Sequence, residues 1–410
     1  MYTPVDHRNA LAIATAQTRL AAQTAKMPRH TEKIPVTQAL GRVLAEPVTA
    51  PYALPTFRRA GYDGYAVNHQ DLTHLPATLQ LVGEIPAGAD FPHRLQLGQA
   101  VRIMTGGFVP EGADVVVMLE TTTQAPQAKT VTISERQKND NITPVGSFFA
   151  AGAELFPQGA TINPGGLSLL ASFNIQTVTV AALPKVGIIT TGSELLRPDQ
   201  PLANGKIYDS NGPLIQGLCV ESGVDLIGVK TVADDPQALQ AAVAELLPAC
   251  DILITDGGVS VGDFDIIADY AKHADTLLFN KLEMRPGSVT TAYMHENTLC
   301  FGLSGNPGAC FTGFYLFVEP TLRQLQGAAS RLIKTTGRLD HTYTKTNMYD
   351  RILRGTYQVS ADGLVISRTG SDASDNLNNL HEATCLFEIP RGTTPTKAGE
   401  VLTTWLLPYR

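Results

Sequence analysis

The sequence predicts a multidomain protein: a central α/β domain with a mostly parallel sheet, flanked by β-rich regions. Three observations predict it. The chain has 410 residues, more than one ordinary core accommodates. From residue 186 to 326, apolar strand-like runs alternate with helical patterns, the signature of parallel strands with crossover helices. From 75 to 135, and again from 337 to 410, short strand-like runs alternate with polar turns.

Composition suits a folded, soluble chain: 43% hydrophobic and 17% charged residues, with a net charge of -7. No Lys/Arg tract stands out, which argues against nucleic acid or an acidic membrane as partner. A small anionic ligand remains compatible with the charge. Cys219, Cys250, Cys300, Cys310 and Cys385 stand singly in apolar surroundings, without CxxC or a nearby His. They read as buried reduced thiols, in keeping with a cytoplasmic protein. The first residues do not read as a signal peptide, and no apolar run reaches the ~18 residues of a membrane span.

Taken in order, residues 8–25 have high helix propensity. EKIPV (32–36) reads as extended, and ALGRVLAE (39–46) as a helix ended by Pro47. In LPTFRRAGYDGYAV (54–67), Asp63 sits among glycines, aromatics and two arginines, before a strand. It either caps its own turn or faces a ligand. VRIMTGG (101–107) ends a strand in Thr105-Gly106-Gly107, which is either a plain hairpin turn or a presentation of N–H groups to an anion. A helix over 165–173 and a strand over 176–180 follow.

The α/β region reads as strand 186–190, helix 212–222, strand 225–230, helix 236–247 and strand 251–255. It continues as helix 265–273, strands near 276–279, 289–294 and 298–303, and a long helix 308–326. Three of its strand ends carry glycine turns: TTGSE (190–194), TDGGVSVGD (255–263) and LSGNPG (303–308). In a doubly wound sheet such turns share one edge, where backbone N–H groups favour phosphate or another oxyanion. No turn matches GxxxxGK[ST] or GxGxxG, so an ordinary P-loop or dinucleotide site is excluded.

Acids gather at the same predicted edge: Glu194, Asp209, Asp234, Asp235, Asp256, Asp263 and Asp265. Beside a phosphate they call for a bridging cation, and an all-oxygen set suits Mg2+. Asp209 and Asp234 read equally as helix N-caps. Lys206, Lys281 and Arg285 are the nearby cations, Arg285 followed by Pro286. The histidines are scattered and no hydrolase triad is visible.

Together these stretches resemble the MoeA family of molybdopterin molybdenumtransferases, relatives of the gephyrin E domain. The resemblance covers nearly the whole chain. It rests on DGYAV (63–67), RIMTGGFVPEGADVVVMLE (102–120), TGSEL (191–195), IYDSNG (207–212), DGGVSVGDFD (256–265), RPG (285–287) and SGNPG (304–308). It implies a three-layer molybdopterin-binding α/β domain over 183–327 and a β-barrel-like C-terminal domain over 334–410. It also implies an elongated N-terminal half, with a linker domain over 1–50 and 140–182 and a mixed β-rich domain over 51–139.

The implied reaction inserts molybdate into adenylylated molybdopterin, with Mg2+, and releases AMP. The implied assembly is a cytoplasmic homodimer, with other molybdenum cofactor biosynthesis proteins as further partners. By the same resemblance Asp63, Thr105, Glu194 and Asp265 are catalytic, and Glu194, Asp234, Asp263 and Asp265 hold the metal. Gly192, Ser193, Asp209, Ser210, Gly257, Gly258, Ser260, Arg285, Gly305, Asn306 and Pro307 bind substrate. Because Asp63 and Thr105 precede the α/β domain, the two halves of a site are expected from two subunits.

The chain departs from the family pattern in several places. Phe57-Arg58-Arg59-Ala60-Gly61-Tyr62 stands where FDNSAM is common. Ser288 follows the RPG turn where a lysine is usual, Phe148 stands near a usual acid, and Ser304 replaces a proline. Arg58 or Arg59 is expected to supply the missing cation. Two alternatives stay open: a paralogue that binds molybdopterin or a partner without turnover, and a molybdopterin adenylyltransferase.

Overall fold

The computed structural model describes residues 9–125, 128–196, 198–257, 271 and 273–408. The chain divides into two compact units. One comprises 1–45, 159–163 and 177–410; the other comprises 46–158 and 164–176. The described helices are α1 (Ile13–Thr24), α2 (Pro164–Ser172), α3 (Asn211–Ser222), α4 (Pro236–Leu246), α5 (Pro307–Gly313), α6 (Glu319–Leu325) and the short α7 (Asn378–Glu382).

The first unit is built on a six-stranded sheet, whose strands are β1 (Lys185–Thr191), β2 (Asp225–Val232), β3 (Ile252–Asp256), β4 (Thr276–Phe279), β5 (Thr291–His295) and β6 (Thr298–Leu303). Their order is β2-β1-β3-β6-β5-β4. The first four run parallel; β5 and β4 are antiparallel additions. Alternate residues of β1 and β3 serve opposite faces. Ile188 and Ile254 join Ile215 of α3 and Phe311 of α5 in one core, and Ile189 and Leu253 join Leu239 and Val243 of α4 in the other. That is the three-layer sandwich.

Local chemistry explains the helix ends. Asp235 accepts from the Ala238 N–H and Pro236 opens α4, a cap followed by proline. Gly223, at φ +70°, closes α3 in the left-handed region. The helix expected over 308–326 is divided by a π-helical turn at Phe314–Val318. Pro320, which lacks an N–H, lies just beyond that turn and removes one α-helical bond.

The expected helix over 39–46 is absent. Gly41 takes φ +76°, and Val43 and Leu44 form bridges to Thr161 and Val180. Pairing with distant backbone overrides a propensity that Gly41 already weakens. Strand Thr31–Pro35, by contrast, forms as expected and pairs antiparallel with Thr177–Ala181.

A second sheet in this unit closes on itself. Strands Ile333–Leu339, Asp350–Ser360, Gly363–Arg368, Cys385–Ile389 and Val401–Leu406 form a ring, with Asp350–Ser360 pairing both Gly363–Arg368 and Cys385–Ile389. A closed ring leaves no free edge, hence a small barrel. Its core includes Leu353, Ile366, Cys385 and Phe387. The two-residue strand Met284–Arg285 pairs onto it.

The other unit is organised by a six-stranded sheet in the order 115–118, 64–67, 99–103, 77–85, 130–133, 122–123. Tyr65 and Val67 point into one core and Ala66 into another. Among the described residues no helix is long and apolar enough to cross a membrane. All five cysteines are free and buried, as expected.

Candidate functional site

The carboxyl ends of β1, β3 and β6 bring three glycine turns together. Thr190 pairs with Asp256 across β1 and β3, and Asp256 with Leu303 across β3 and β6. The Gly257 N–H then donates to the Leu303 carbonyl at 3.3 Å. A Cβ on Gly257 would lie 2.6 Å from Thr191 Oγ1 and 2.7 Å from Thr191 O, and φ is +83°. Only glycine lets these backbones approach so closely. A Cβ on Gly305 would lie 3.8 Å from Gly257 Cα. The predicted convergence of Gly192, Gly257 and Gly305 turns on one sheet edge is therefore present.

The 192–194 turn is tied down from two sides. Ser193 N–H donates to Asp234 Oδ2 at 3.0 Å, and Asp234 N–H donates back to Ser193 Oγ at 3.2 Å. Lys206 Nζ donates to Ser193 O at 2.6 Å, and Ile207 N–H to Glu194 O at 3.0 Å. These bonds leave the Glu194 side chain exposed at the surface of the turn. Gly192 is buried, and a Cβ there would meet Leu195 Cγ at 2.8 Å and the Glu194 carboxylate at 2.9 Å.

Asp209 has two duties. Its Oδ1 accepts from the Gly212 N–H at 2.9 Å, which satisfies the first turn of α3, and its Oδ2 accepts from Thr190 Oγ1 at 2.8 Å and Thr231 Oγ1 at 3.2 Å. Asp209 thus bonds the first turn of α3 from the residue before its N-cap, not as the N-cap itself, and Asp234 caps no described helix: Asp235 caps α4, and Asp234 holds Ser193. Ser210 takes the N-cap position of α3, with no side-chain cap bond. Asn306 and Pro307 open α5, the Asn306 carbonyl accepting from Ala309 and Cys310 at 2.9 Å each.

The sequence motifs give no separate role to Asn211 or Thr190 and place Asp256 only among the edge acids, whereas the structure joins all three to this edge. Asn211 Nδ2 donates to Asp256 Oδ2 and to Gly305 O, each at 2.8 Å. Burial pushes the Asp256 carboxyl up to about 7; Asn211 opposes the shift, and the Asp209 and Glu194 charges reinforce it. The DSNG motif hides the role of Asn211, because an asparagine beside a turn acid reads as a local cap and not as a long-range bond.

Arg285 is exposed, and its guanidinium lies 5.0 Å from the Tyr349 ring centroid. The RPG turn nevertheless lies beside α5: a Cβ on Gly287 would be 3.5 Å from Ala309 O. Gly258, Ser260, Asp263 and Asp265 lie outside the described residues. Among the described residues no group of three His, Cys, Asp or Glu side chains converges as a metal cage. Glu194 on the first turn and Asp234 on the loop after β2, which is tied to Ser193, are oxygen donors that match Mg2+ in donor type but, among the described residues, not in number.

In the other unit Asp63 and Thr105 are joined directly. Thr105 N–H donates to Asp63 Oδ1 at 2.6 Å and Thr105 Oγ1 donates to the same oxygen at 2.8 Å. The Thr105 N–H, then its hydroxyl, and also the charge of Arg102 hold the exposed Asp63 carboxyl below the usual range. Gly64, next in sequence, packs flat against the Val117 carbonyl.

The Arg58 guanidinium donates to the carbonyls of Ala113 at 3.0 Å, Pro110 at 2.9 Å and Val109 at 3.5 Å and braces that loop. Arg59 does face the Thr105 turn, with a terminal nitrogen 3.5 Å from where a Gly106 Cβ would be.

A three-layer α/β sandwich with glycine turns at the ends of its parallel strands, followed by a closed barrel, defines the fold class, and the family models give it a name. The Probable molybdopterin binding domain matches residues 187–324, the MoeA N-terminal region (domain I and II) matches 9–174, and the MoeA C-terminal region (domain IV) matches 336–407. The chain is 36% identical over 406 residues to a molybdopterin molybdenumtransferase of Staphylococcus aureus (strain Mu50), covering 97% of this chain and 96% of the relative. It is 38% identical over 387 residues to that of Bacillus subtilis (strain 168), covering 92% and 90%.

The crystal structure of the molybdopterin biosynthesis MoeA protein from Pyrococcus horikoshii OT3 superposes with a TM-score of 0.80 at 26% identity, covering 97% of this chain and 100% of that one. The chain belongs to the MoeA family.

Proposed function

We propose that this protein is a transferase of molybdenum cofactor biosynthesis that inserts molybdate into adenylylated molybdopterin and releases AMP. Membership of the family, with relatives named molybdopterin molybdenumtransferase over nearly the full length, supports the transferase class. The single structural observation that carries the reading is the convergence of the Gly192, Gly257 and Gly305 turns at the ends of parallel strands. Such an edge receives phosphate through backbone N–H groups.

The roles proposed for this chain's residues follow from their chemistry. Gly192, Ser193, Asp209, Ser210, Gly257, Gly258, Ser260, Gly305, Asn306 and Pro307 shape the pterin-phosphate cradle. Arg285 and the nearby Lys206 offset phosphate or molybdate charge. Glu194, with Asp234, Asp263 and Asp265, would hold Mg2+, which neutralises charge on the phosphoanhydride when bound. Asp63, kept ionised by Thr105, contributes a fixed negative charge on the other unit. A cytoplasmic homodimer is the proposed working form, in which Asp63 and Thr105 of one subunit serve the other's glycine edge.

The test supplies adenylylated molybdopterin, molybdate and Mg2+ and follows AMP. Molybdate-dependent AMP release is expected, and Glu194→Gln should lower kcat at least about a hundredfold. Substrate binding without AMP release identifies a binding paralogue instead. Consumption of ATP with unmodified molybdopterin identifies an adenylyltransferase.

A further inference from the structure

We propose that Asn211 is a positioning residue that locks two of the substrate turns together, with Asp256 as its counterpart. The proposal rests on the reading of these turns as the substrate cradle. Asn211 is the first residue of α3 and only 5% exposed; Asp256 ends β3 and is 4% exposed. One amide nitrogen serves both turns, through the Asp256 carboxylate and the Gly305 carbonyl, at 2.8 Å each. The turns are otherwise joined near this point by the Gly257 N–H bond to the Leu303 carbonyl at 3.3 Å and by close backbone packing, Gly257 Cα being 3.8 Å from a Gly305 Cβ position. Backbone packing alone does not fix which way a glycine turn faces. A two-pronged amide does.

The residue type follows. Both N–H groups of the amide are used, so aspartate cannot replace Asn211 at Gly305, and it would set carboxylate against carboxylate at Asp256. The groups that face Asp256 are Asn211 of α3, Asp209 before it, Glu194 of the first turn and Cys310 of α5. Two of the four are acids and none is a cation, so the opposition comes from hydrogen bonds, first from Asn211 and then from the Cys310 thiol. Asn211 Oδ1 and Asp256 Oδ1 are buried and have no hydrogen-bond partner among the described residues. An added charge at this point therefore has nothing to compensate it.

Three variants test the lock: Asn211→Ala, Asn211→Asp, and Asn211→Asp combined with Asp256→Asn. Each is compared with the full-length wild type for KM and kcat with adenylylated molybdopterin at pH 6 and pH 8.5, and for thermal midpoint. Loss of both bonds in Asn211→Ala should raise KM about tenfold or more while kcat stays within about threefold, the pattern of lost uniform binding. Asn211→Asp should raise KM several-fold more at pH 8.5 than at pH 6, since two adjacent carboxylates ionise together only at high pH. Adding Asp256→Asn restores one amide–carboxyl pair and should remove that pH difference.

A lower thermal midpoint with KM within about twofold of wild type at both pH values means a merely structural role and overturns the proposal. If Asn211→Ala does not fold, Asn211→Asp and the double variant decide. If the wild type binds the substrate without releasing AMP, the proposed reaction falls, and the same variants are judged on Kd from pterin fluorescence. If it does not bind at all, the lock falls with the cradle.

Discussion

Two Asp-Gly pairs, one in each unit, show how differently the same dipeptide is used. Asp63-Gly64 opens a strand, and Asp256-Gly257 closes one. Asp63 is exposed and collects two donors from Thr105, so its carboxyl is held below the ordinary range. Asp256 is buried, receives one amide donor, and faces the charges of Asp209 and Glu194, so its carboxyl is pushed up to about 7. One aspartate is a fixed charge, and the other is set to gain or lose a proton near neutrality. The glycines differ too. Gly64 is needed because a neighbouring strand crowds it, and Gly257 because of both crowding and a left-handed φ of +83°. The lesson is that solvent access and donor count, not the residue pair, set the chemistry.

The largest effect that separates the pairs is steric. Gly64→Ala drives a Cβ into the Val117 carbonyl, which is backbone and cannot swing away. We expect a loss above about 4 kcal/mol, in the exceptional class of point mutants, read by denaturant unfolding. Next comes the proton on Asp256. Its folded value, about 7, is above the ordinary 3.8. Stability is therefore fully present below about pH 4 and declines as pH rises through about 7. The difference of about 3 units corresponds to at most about 4 kcal/mol. Asp256→Asn should flatten that decline, so that its stability relative to wild type improves between pH 5 and pH 8.5. A wild-type thermal midpoint that does not fall over this range would contradict the raised carboxyl.

A smaller contrast concerns the paired arginines. Arg58→Ala removes donors from three carbonyls and should cost about 1–3 kcal/mol of stability. Arg59→Ala should leave stability within about 0.5 kcal/mol and weaken molybdate-dependent turnover instead. Equal effects of the two on both measurements would remove the distinction drawn between them. The smallest effect is at Asp63: Thr105→Ala removes the hydroxyl donor but keeps the N–H. The Asp63 carboxyl should then titrate at higher pH, nearer its ordinary value, by NMR.

Much of the fold could be read from periodicity. The strands at 186–190, 225–230, 251–255 and 298–303 are apolar runs, and the structure places them as β1, β2, β3 and β6. Burial on both faces makes the pattern local and strong in β1, β3 and β6, while β2, at the sheet edge, is only partly buried. Residues 39–46 misled, because a helical composition there yields to pairing with Thr161 and Val180, contacts far away in sequence. The glycine turns and the acids around them were readable as motifs. Asn211 was not, because an asparagine beside a turn acid looks like a local cap.

What the sequence by itself determined is the order of strands and helices, the glycine turns at strand ends, the family and the reduced cysteines. Each depends on short-range pattern: alternation of apolar residues, conformations open only to glycine, and motif spacing. Only the tertiary structure decided which acid does what. Asp234 anchors Ser193 while Asp235 caps α4, Arg58 is spent on backbone carbonyls while Arg59 faces Thr105, and Asp256 is buried beside Asn211. The reason is physical. A side chain's charge state and partners depend on burial and on groups that distant strands bring within 3 Å or so, and no local pattern encodes those distances.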